Sequence, residues 1–395
     1  MAKETMKRPS SRKSASKRSE SAAPAASGKR RKVSRKKAAQ KKKRMIIFGV
    51  EIVALLALLI GFYVVWQMDK LQEPQQAEGG IEVNEGLSEE AQQTMSGYTN
   101  IALFGLDTRE AGQLGKGNRS DTMIIASINN DTKEVKLVSV YRDTHLDLNN
   151  GRYNKANGAY SAGGPDQAVN MLNRNLDLDI QYYVSVDFAA LTETVDLLGG
   201  IMIDVDESEI EHLNNYTVET SEVTGVETEK LTETGYQLLD GVQATSYCRI
   251  RYTAGDDFKR TERQREVILE IANKAKEADI TEINDIINAV FPMVATNYTN
   301  GQLLEMAPQL LEYDIVDTVG FPFDRETGTI SGKGSCVIPV NLESNVIQLH
   351  EYLFGNDGYT PSQQVQDISD QIVSDTGYDV EEDTSADAGG SAAEE

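Results

Sequence analysis

The feature that most constrains this chain is the apolar run of residues 45–66, in which Glu51 is the only charged residue. About 20 helical residues cross the hydrocarbon core of a bilayer. The run is longer than the apolar core of a signal peptide, and it ends in the aromatic-rich stretch Phe62 to Trp66, which suits the membrane interface. It therefore predicts one uncleaved transmembrane helix.

Charge is distributed very unevenly around this run. Residues 1–44 carry 18 Lys and Arg against Glu4 and Glu20, a net charge of +16, and the rest of the chain carries −39, which together give −23. Basic residues flanking a span remain in the cytoplasm. We therefore expect a single-pass protein of the cell membrane, with its N-terminus in the cytoplasm and everything after Trp66 outside the cell.

Composition divides the remainder of the chain into segments. Residues 1–44 lack large apolar side chains and predict a disordered basic cytoplasmic tail that could bind nucleic acid, adsorb to anionic lipid or only fix the topology. Residues 67–97 are polar and predict an extracellular linker. Residues 98–356 predict the folded domain. Residues 357–395 predict a disordered acidic tail, since residues 361–395 contain ten acidic and no basic side chains.

Short apolar strands alternate with amphipathic helices in the predicted domain. Its predicted strands are Ile101 to Leu106, Met123 to Ile128, Val135 to Tyr141 and Ile201 to Val205. Its predicted helices run from Pro165 to Leu176, from a cap at Asp187 to Leu198 before Gly199-Gly200, from Thr261 to Lys276 and from Glu282 to Ala295. This alternation favours an α/β domain with helices covering a sheet.

Two aspartates lie where predicted strands end or begin. Asp107 follows the first strand, and Asp121 precedes the second, close to Arg119. Mg²⁺ typically binds one or two carboxylates together with phosphate oxygens and water. The pair therefore suits a divalent ion with an anionic ligand, although each aspartate could instead only cap a turn.

Basic residues form two further groups. Arg142 closes the third strand, and Lys155 lies in an Asn- and Gly-containing loop. If residues 247–252 are extended, Arg249 and Arg251 share one face, while Cys248 and Ile250 face the core. Arg263 and Gln264 would then occupy the first turn of a helix, whose amide end favours an anion.

These arginines could pair with carboxylates in so acidic a domain. A pyrophosphate explains more of the pattern, because bidentate arginine contacts and a metal ion can neutralise it. The three histidines lack metal-ligand spacing, and no nucleophile-elbow or Walker motif occurs. Cys248 and Cys336 could form a disulfide, but a core position of Cys248 favours reduced thiols.

The ordered motifs strongly resemble the LytR-CpsA-Psr family over about 170 residues. They are the strand to Asp107, R-S-D-T at 119–122, R-D-T at 142–144, the loop from Lys155 to Tyr160, V-D-x-L-G-G at 195–200 and the arginine-rich run to Gln264. The chain departs from the family pattern at Gly158, where many relatives have His, and at Tyr141, where many have Pro. Residues 207–234 are interpreted as a variable surface insertion.

The resemblance implies an α-β-α sandwich with a central mixed sheet, a hydrophobic polyprenyl pocket and Mg²⁺ (or Mn²⁺) near Asp107 and Asp121. It implies a catalytic set of these two aspartates with Arg119, Arg142, Arg249 and Arg251. The implied pyrophosphate-binding residues are Arg119, Arg142, Lys155, Arg249, Arg251, Arg260, Arg263 and Gln264, with Asp257 as a weaker candidate.

The function implied is a phosphotransferase that moves an anionic glycopolymer, such as wall teichoic acid or capsular polysaccharide, from undecaprenyl pyrophosphate to a peptidoglycan sugar hydroxyl. The alternatives are a polyprenyl-pyrophosphate hydrolase and a membrane-bound transcriptional regulator. No nucleic-acid partner is expected, because the basic tail lacks a folded DNA-binding motif.

Overall fold

The computed structural model describes residues 55, 58–59, 61–72, 80–108, 112–251, 256–306 and 309–379. The chain divides into two compact units, Met1–Tyr63 and Val64–Glu395, and every element described below belongs to the second unit. The predicted cytoplasmic tail and most of the predicted span lie outside the described residues. Within the described part, no helix combines the length and apolar character needed to cross a membrane.

The strands of this unit are short and regular. They are β1 (Tyr98–Leu106), β2 (Ser120–Asn129), β3 (Glu134–Val140), β4 (His145–Asp147), β5 (Tyr153–Lys155), β6 (Tyr182–Asp187), β7 (Ile201–Val205), β8 (Gly235–Leu239), β9 (Val294–Thr296), β10 (Asp314–Phe321), β11 (Arg325–Ile330) and β12 (Gly334–Pro339).

The helices alternate with these strands along the chain. They are α1 (Glu89–Met95), α2 (Gly158–Leu176), α3 (Phe188–Leu197), α4 (Glu207–Thr224), α5 (Gly241–Tyr247), α6 (Asp256–Glu277), α7 (Ile280–Val290), α8 (Asn300–Met306), α9 (Leu342–Phe354) and α10 (Gln363–Thr376). A short 3-10 helix, Phe291–Met293, follows α7.

Six strands form a central mixed sheet in the order β10-β3-β2-β1-β6-β9. The β1–β2, β2–β3 and β6–β9 pairs are antiparallel, whereas β1–β6 and β3–β10 are parallel. Strands β2 and β3, which pair through Ile124 to Ile128, correspond to two of the predicted strands. The order also brings the end of β1, the start of β2 and the end of β6 to the same edge.

Helices cover both faces of this sheet. Alternate residues of β1 point to opposite sides, so Phe104 joins the core beneath α2, α9 and α10, while Ile101 joins the core beneath α6 and α8. The α/β prediction and its central mixed sheet are therefore confirmed. A third core lies among the antiparallel strand pair β7–β8 and the helices α3, α4, α5 and α6. It includes Val195, Ile203, Leu213, Ala244 and Val267.

Several local signals act as expected. The Asp187 carboxylate accepts a hydrogen bond from the Ala190 amide at 2.8 Å and so caps α3. Gly199 and Gly200 both adopt positive φ angles before β7. Gly164 interrupts the helical geometry of α2, and Pro165 begins its second, regular part.

The prediction that residues 357–395 form a disordered tail is wrong for the described part of this segment. Helix α10 packs against α2 and α9, and its buried side chains Val365, Ile368 and Ile372 belong to the main core. Their spacing places them on one face of a helix, which outweighs the acidic composition of the exposed face.

Two other segments that were predicted to lie outside the core contribute to it in the structure. The predicted linker of residues 67–97 contains α1, whose Ala91 and Met95 are buried in the main core. Residues 207–234, interpreted as a surface insertion, contain α4, which contributes Leu213 to the third core. Both segments were misjudged because their polar residues outnumber the few apolar ones that pack.

Candidate active site

A cavity of about 400 Å³ opens where the sheet meets the third core. Most of its wall is apolar and includes Leu103, Ile124, Val184, Val186, Leu191 and Val267, while its polar residues include Asp107, Asp121, Arg249, Arg251, Arg260 and Gln264. Elongated apolar ligands bind in such spaces, and a few polar groups fix their orientation. The cavity can therefore hold an apolar chain whose head carries charge.

Asp121 is the centre of the polar end. One of its carboxylate oxygens, Oδ2, accepts hydrogen bonds from Arg142 at 2.8 Å and from Arg251 at 3.0 Å. Arg260 donates to the Asp121 backbone carbonyl at 3.2 Å. Three guanidinium groups from distant parts of the chain therefore converge on the start of β2.

Asp257 is the second anchor of this cluster. It lies 3.0 Å from Arg260 and 3.6 Å from Arg142, as N···O distances. Burial raises the pKa of Asp257, against the opposing effect of these two arginines. Burial lowers the pKa of Arg142, but Asp121, Asp257 and Asp143 outweigh that effect and raise it overall.

Arg260 is only partly satisfied by the protein. Its side chain is 2% exposed, and its Nε and Nη1 atoms are buried without hydrogen-bond partners in the described structure. Burial lowers the pKa of Arg260 to about 10. Buried donors of this kind are costly unless a ligand engages them, so the cavity is suited to an anion.

Asp107 joins Asp121 at the same sheet edge, as predicted. Leu106 pairs with Ser120 across the β1–β2 ladder, and both aspartates line the cavity. Asp107 is exposed, and its side chain has no hydrogen-bond or ion-pair partner in the part of the chain that the structure describes. The two carboxylates thus differ, because Asp121 is held by arginines.

The other predicted residues of this edge lie outside the cavity lining. Arg119 is exposed, and its carbonyl accepts a hydrogen bond from the Asp107 amide at 3.3 Å. Arg142 reaches the cluster through Asp121. Lys155 lies 3.3 Å from Asp143, which in turn lies 3.9 Å from Arg142. These contacts extend the charged cluster away from the cavity.

The extended conformation considered for residues 247–252 is wrong over residues 247–249, and residue 252 lies outside the described residues. Tyr247 ends helix α5, which is capped through Asp240, and residues 248–249 form a turn. Arg249 and Arg251 consequently do not share a strand face. Both still line the cavity, but Arg251 binds Asp121 whereas Arg249 binds α4.

Arg249 forms one side wall of the cavity. It donates to Thr220 Oγ1 at 3.0 Å and pairs with Glu219 at 2.9 Å. Its guanidinium also lies over the rings of Phe188 and Tyr216, at 4.8 and 5.3 Å from their centroids. Arg249 is therefore the polar boundary of an otherwise apolar wall.

Arg263 was predicted at the pyrophosphate, but the structure places it in the third core. Helix α6 begins at Asp256, so Arg263 is more than a turn inside it. Its Nε pairs with Glu209 at 2.7 Å, both side chains are almost completely buried, and Nη1 donates to the Ile250 carbonyl. Arg263 thus has a structural partner, while Gln264 lines the cavity with a buried, unpartnered Oε1.

Three residues of the cavity wall were missed from the sequence. Asp187 pairs in register with Leu106 at the end of β6 and accepts a hydrogen bond from the Gly112 amide at 2.6 Å. The rule that selected Asp107, a carboxylate at the end of an apolar strand, would have found it. Phe188 and Tyr216 carried no such signal, because their placement depends on how α3 and α4 pack.

The described residues contain no group of three or more His, Cys, Asp or Glu arranged to hold a metal ion. Asp107 and Asp121 nevertheless fit a metal that completes its shell with substrate phosphate and water, since such sites use only one or two carboxylates. The free carboxylate of Asp107 supports that fit. Cys248 and Cys336 are both free cysteines, as the sequence favoured, and they lie in different cores.

The fold and this cavity define a mixed α/β protein with an apolar chamber that ends in an arginine–aspartate cluster. The model of the LytR_cpsA_psr family matches residues 64–341. The chain therefore belongs to the LytR-CpsA-Psr family, as its motifs predicted.

Individual relatives agree with this assignment. The chain is 32% identical over 276 residues to the polyisoprenyl-teichoic acid–peptidoglycan teichoic acid transferase TagU of Enterococcus faecalis, covering 66% of this chain and 81% of that protein. The solved structure of protein gbs0355 from Streptococcus agalactiae matches with a TM-score of 0.56 at 23% identity, covering 70% and 92% of the two chains. A structure of TagT bound to LI-WTA matches with a TM-score of 0.50 at 20% identity, covering 78% and 98%.

Proposed function

We propose that this protein transfers an anionic glycopolymer from an undecaprenyl-pyrophosphate carrier to a sugar hydroxyl of peptidoglycan, releasing undecaprenyl phosphate. The observation that carries the proposal is the buried Arg260, which lines an apolar cavity beside Asp121 and has two donors without hydrogen-bond partners among the described residues. The Enterococcus faecalis relative is named as a teichoic acid transferase, which supports the same reaction class.

In this proposal, the apolar wall binds the start of the polyprenyl chain, at about 0.8 kcal/mol per buried methylene. The pyrophosphate then lies against Arg251 and Arg260, with Arg142 oriented behind Asp121. These guanidinium groups stabilise the charge that develops on the phosphoryl oxygens and on the leaving phosphate.

The acceptor hydroxyl attacks the glycan-proximal phosphorus. A new bond forms between the hydroxyl oxygen and this phosphorus, while the bond from the phosphorus to the bridging oxygen breaks, and undecaprenyl phosphate leaves with the electron pair. We assign the hydroxyl proton to Asp107, because Asp121 Oδ2 is already engaged by two arginines. A bound Mg²⁺ or Mn²⁺, held by Asp107 and Asp121, would supply additional charge neutralisation.

The sequence supports the cellular setting of this reaction. The apolar run of residues 45–66 and its basic flank favour a membrane anchor with the catalytic domain outside the cell, where peptidoglycan is located. An anchored enzyme would meet its lipid substrate at the membrane surface.

Asp107→Asn is expected to lower kcat for transfer by about 100-fold, because the amide cannot accept the proton. The assay uses the full-length protein in lipid nanodiscs with Mg²⁺, a polyprenyl-pyrophosphate glycan and a peptidoglycan oligomer, and it measures linked oligomer and released polyprenyl phosphate.

Asp204→Asn, at an exposed position of β7, is the matched control. Wild-type transfer by Asp107→Asn would refute the role of Asp107. Lipid phosphate released by the wild type without linkage would identify a hydrolase instead, and failure to bind the donor would reject the whole proposal.

Leu191→Trp is expected to weaken binding of a long-chain donor about tenfold, because the indole occupies space that would otherwise bury about two methylenes. A donor with a very short prenyl chain should bind almost as well as it does to the wild type. Leu238→Trp, at an exposed position of β8, is the control. Equal weakening for both donors would show that the chain binds elsewhere.

A further inference from the structure

A second cavity, of about 850 Å³, is lined by Phe258 in the first turn of α6, the turn that also carries Asp257 of the arginine–aspartate cluster. We call it the β11 groove, because Arg325, Glu326 and Thr327 at the start of β11 line it. Its wall also includes the rings of Phe258, Phe323 and Tyr378. The β11 groove thus combines aromatic surface with polar groups, outside the cavity assigned above to the lipid.

An aromatic pair lies between the β11 groove and the charged cluster in the sequence of contacts. Tyr141 and Phe258 form an edge-to-face pair with ring centroids 4.6 Å apart, and the guanidinium of Arg325 lies over both rings, at 5.0 and 4.3 Å. Tyr141 immediately precedes Arg142, and Phe258 immediately follows Asp257. The aromatic pair beside the groove is therefore covalently adjacent to two residues of the charged cluster, Arg142 and Asp257.

Some polar groups of the β11 groove have no side-chain partner among the described residues, whereas Asp324 and Asp379 accept hydrogen bonds from Gln348 and Asn341. Nη1 of Arg325 donates to the backbone carbonyls of Pro322 and Phe323, and within the described residues it forms no ion pair with a carboxylate. Glu326 is exposed, and neither its carboxylate nor the Thr327 hydroxyl has a side-chain partner in the described chain. Asp324 and Asp379 bring further carboxylates to the same space.

The charge of the groove selects among the substrates of the reaction. Three carboxylates against one guanidinium disfavour a polyanionic glycan and a pyrophosphate. A sugar strand suits these groups, since its hydroxyls can donate to carboxylates and the apolar faces of its rings can pack on aromatic side chains.

We propose that the β11 groove is the binding site for the acceptor, a peptidoglycan glycan strand, and that Tyr378 and Glu326 are contact residues for its sugars. This inference rests on the proposed function for the identity of the acceptor. The groove orients the strand so that one sugar hydroxyl passes the Tyr141–Phe258 pair toward the charged cluster.

The test compares Tyr378→Ala and Glu326→Gln with wild type in the full-length protein. Both side chains are exposed, so each variant is expected to fold normally. Each should raise KM for a soluble peptidoglycan oligomer about tenfold, as expected for loss of one aromatic or charge-assisted contact, while KM for the lipid donor stays constant. Tyr236→Ala, which removes an exposed tyrosine from β8, is the matched control.

A binding measurement without donor separates this inference from the proposed function. Equilibrium dialysis with a labelled, peptide-free peptidoglycan oligosaccharide should show about tenfold weaker binding by both variants, whether or not transfer is detected. Unchanged binding and an unchanged acceptor KM would overturn the inference. A rise in donor KM alone would overturn it as well, by assigning the groove to the donor glycan.

Discussion

Replacing Asp121 with alanine is expected to lower transfer by at least about 100-fold, because one carboxylate positions several charge-stabilising groups and each is commonly worth about 3 kcal/mol in the barrier. Arg142 and Arg251 share Asp121 Oδ2 and would lose their common partner. The three arginines would then repel one another and move apart, so the effect should exceed that of removing any one of them.

The measurement is kcat/KM for the lipid donor, together with a thermal unfolding curve for each protein. Asp314→Ala is a suitable control, because it also removes a carboxylate from an ion pair, with Lys276 at 3.0 Å, but at an exposed position. Transfer within tenfold of wild type by a folded Asp121→Ala protein would refute the central role of Asp121.

Arg263→Ala is expected to destabilise the fold by about 3–5 kcal/mol, because it leaves a buried carboxylate without its partner. Glu209, 2% exposed, accepts the Arg263 hydrogen bond at 2.7 Å and also forms part of the capping box at the start of α4. The loss of stability should therefore affect the third core first, and it should alter the cavity only through movement of α4.

Thermal and urea unfolding, followed by circular dichroism, measure this change. The double variant Glu209→Leu/Arg263→Met should recover most of the lost stability, since it removes the unpaired charge and retains volume. Lys276→Ala, which breaks the exposed pair with Asp314, should cost less than about 1 kcal/mol. A normally stable Arg263→Ala protein that has lost only donor binding would return Arg263 to the pyrophosphate site, as the sequence predicted.

Local sequence signals predicted a large part of the fold. The strands around Asp107 and Asp121 are apolar runs with clear ends, and the cap at Asp187 and the glycines at 199–200 act within a few residues of where they occur. The meeting of Asp107 and Asp121 followed from the same signals, because adjacent antiparallel strands bring the end of one to the start of the next.

The errors arose where long-range packing decides the structure. The apolar and polar residues of the segment 247–252 alternate as in a strand. However, Asp240 caps a helix that begins at Gly241 and extends to Tyr247. The role of Arg263 depends on Glu209, a partner 54 residues away. Helix α10 showed a helical spacing of apolar residues, yet its acidic composition concealed it.

The pairing of Arg142, Arg251 and Arg260 with aspartates has a consequence for turnover. A phosphate that binds the three arginines has to replace Asp121 and Asp257, which already pair with them. The loss of these ion pairs offsets part of the attraction between the phosphate and the arginines. When the lipid phosphate dissociates, Asp121 and Asp257 can form their ion pairs with the arginines again. In the proposed reaction, the ion pairs that order the site would therefore also favour release of the lipid phosphate.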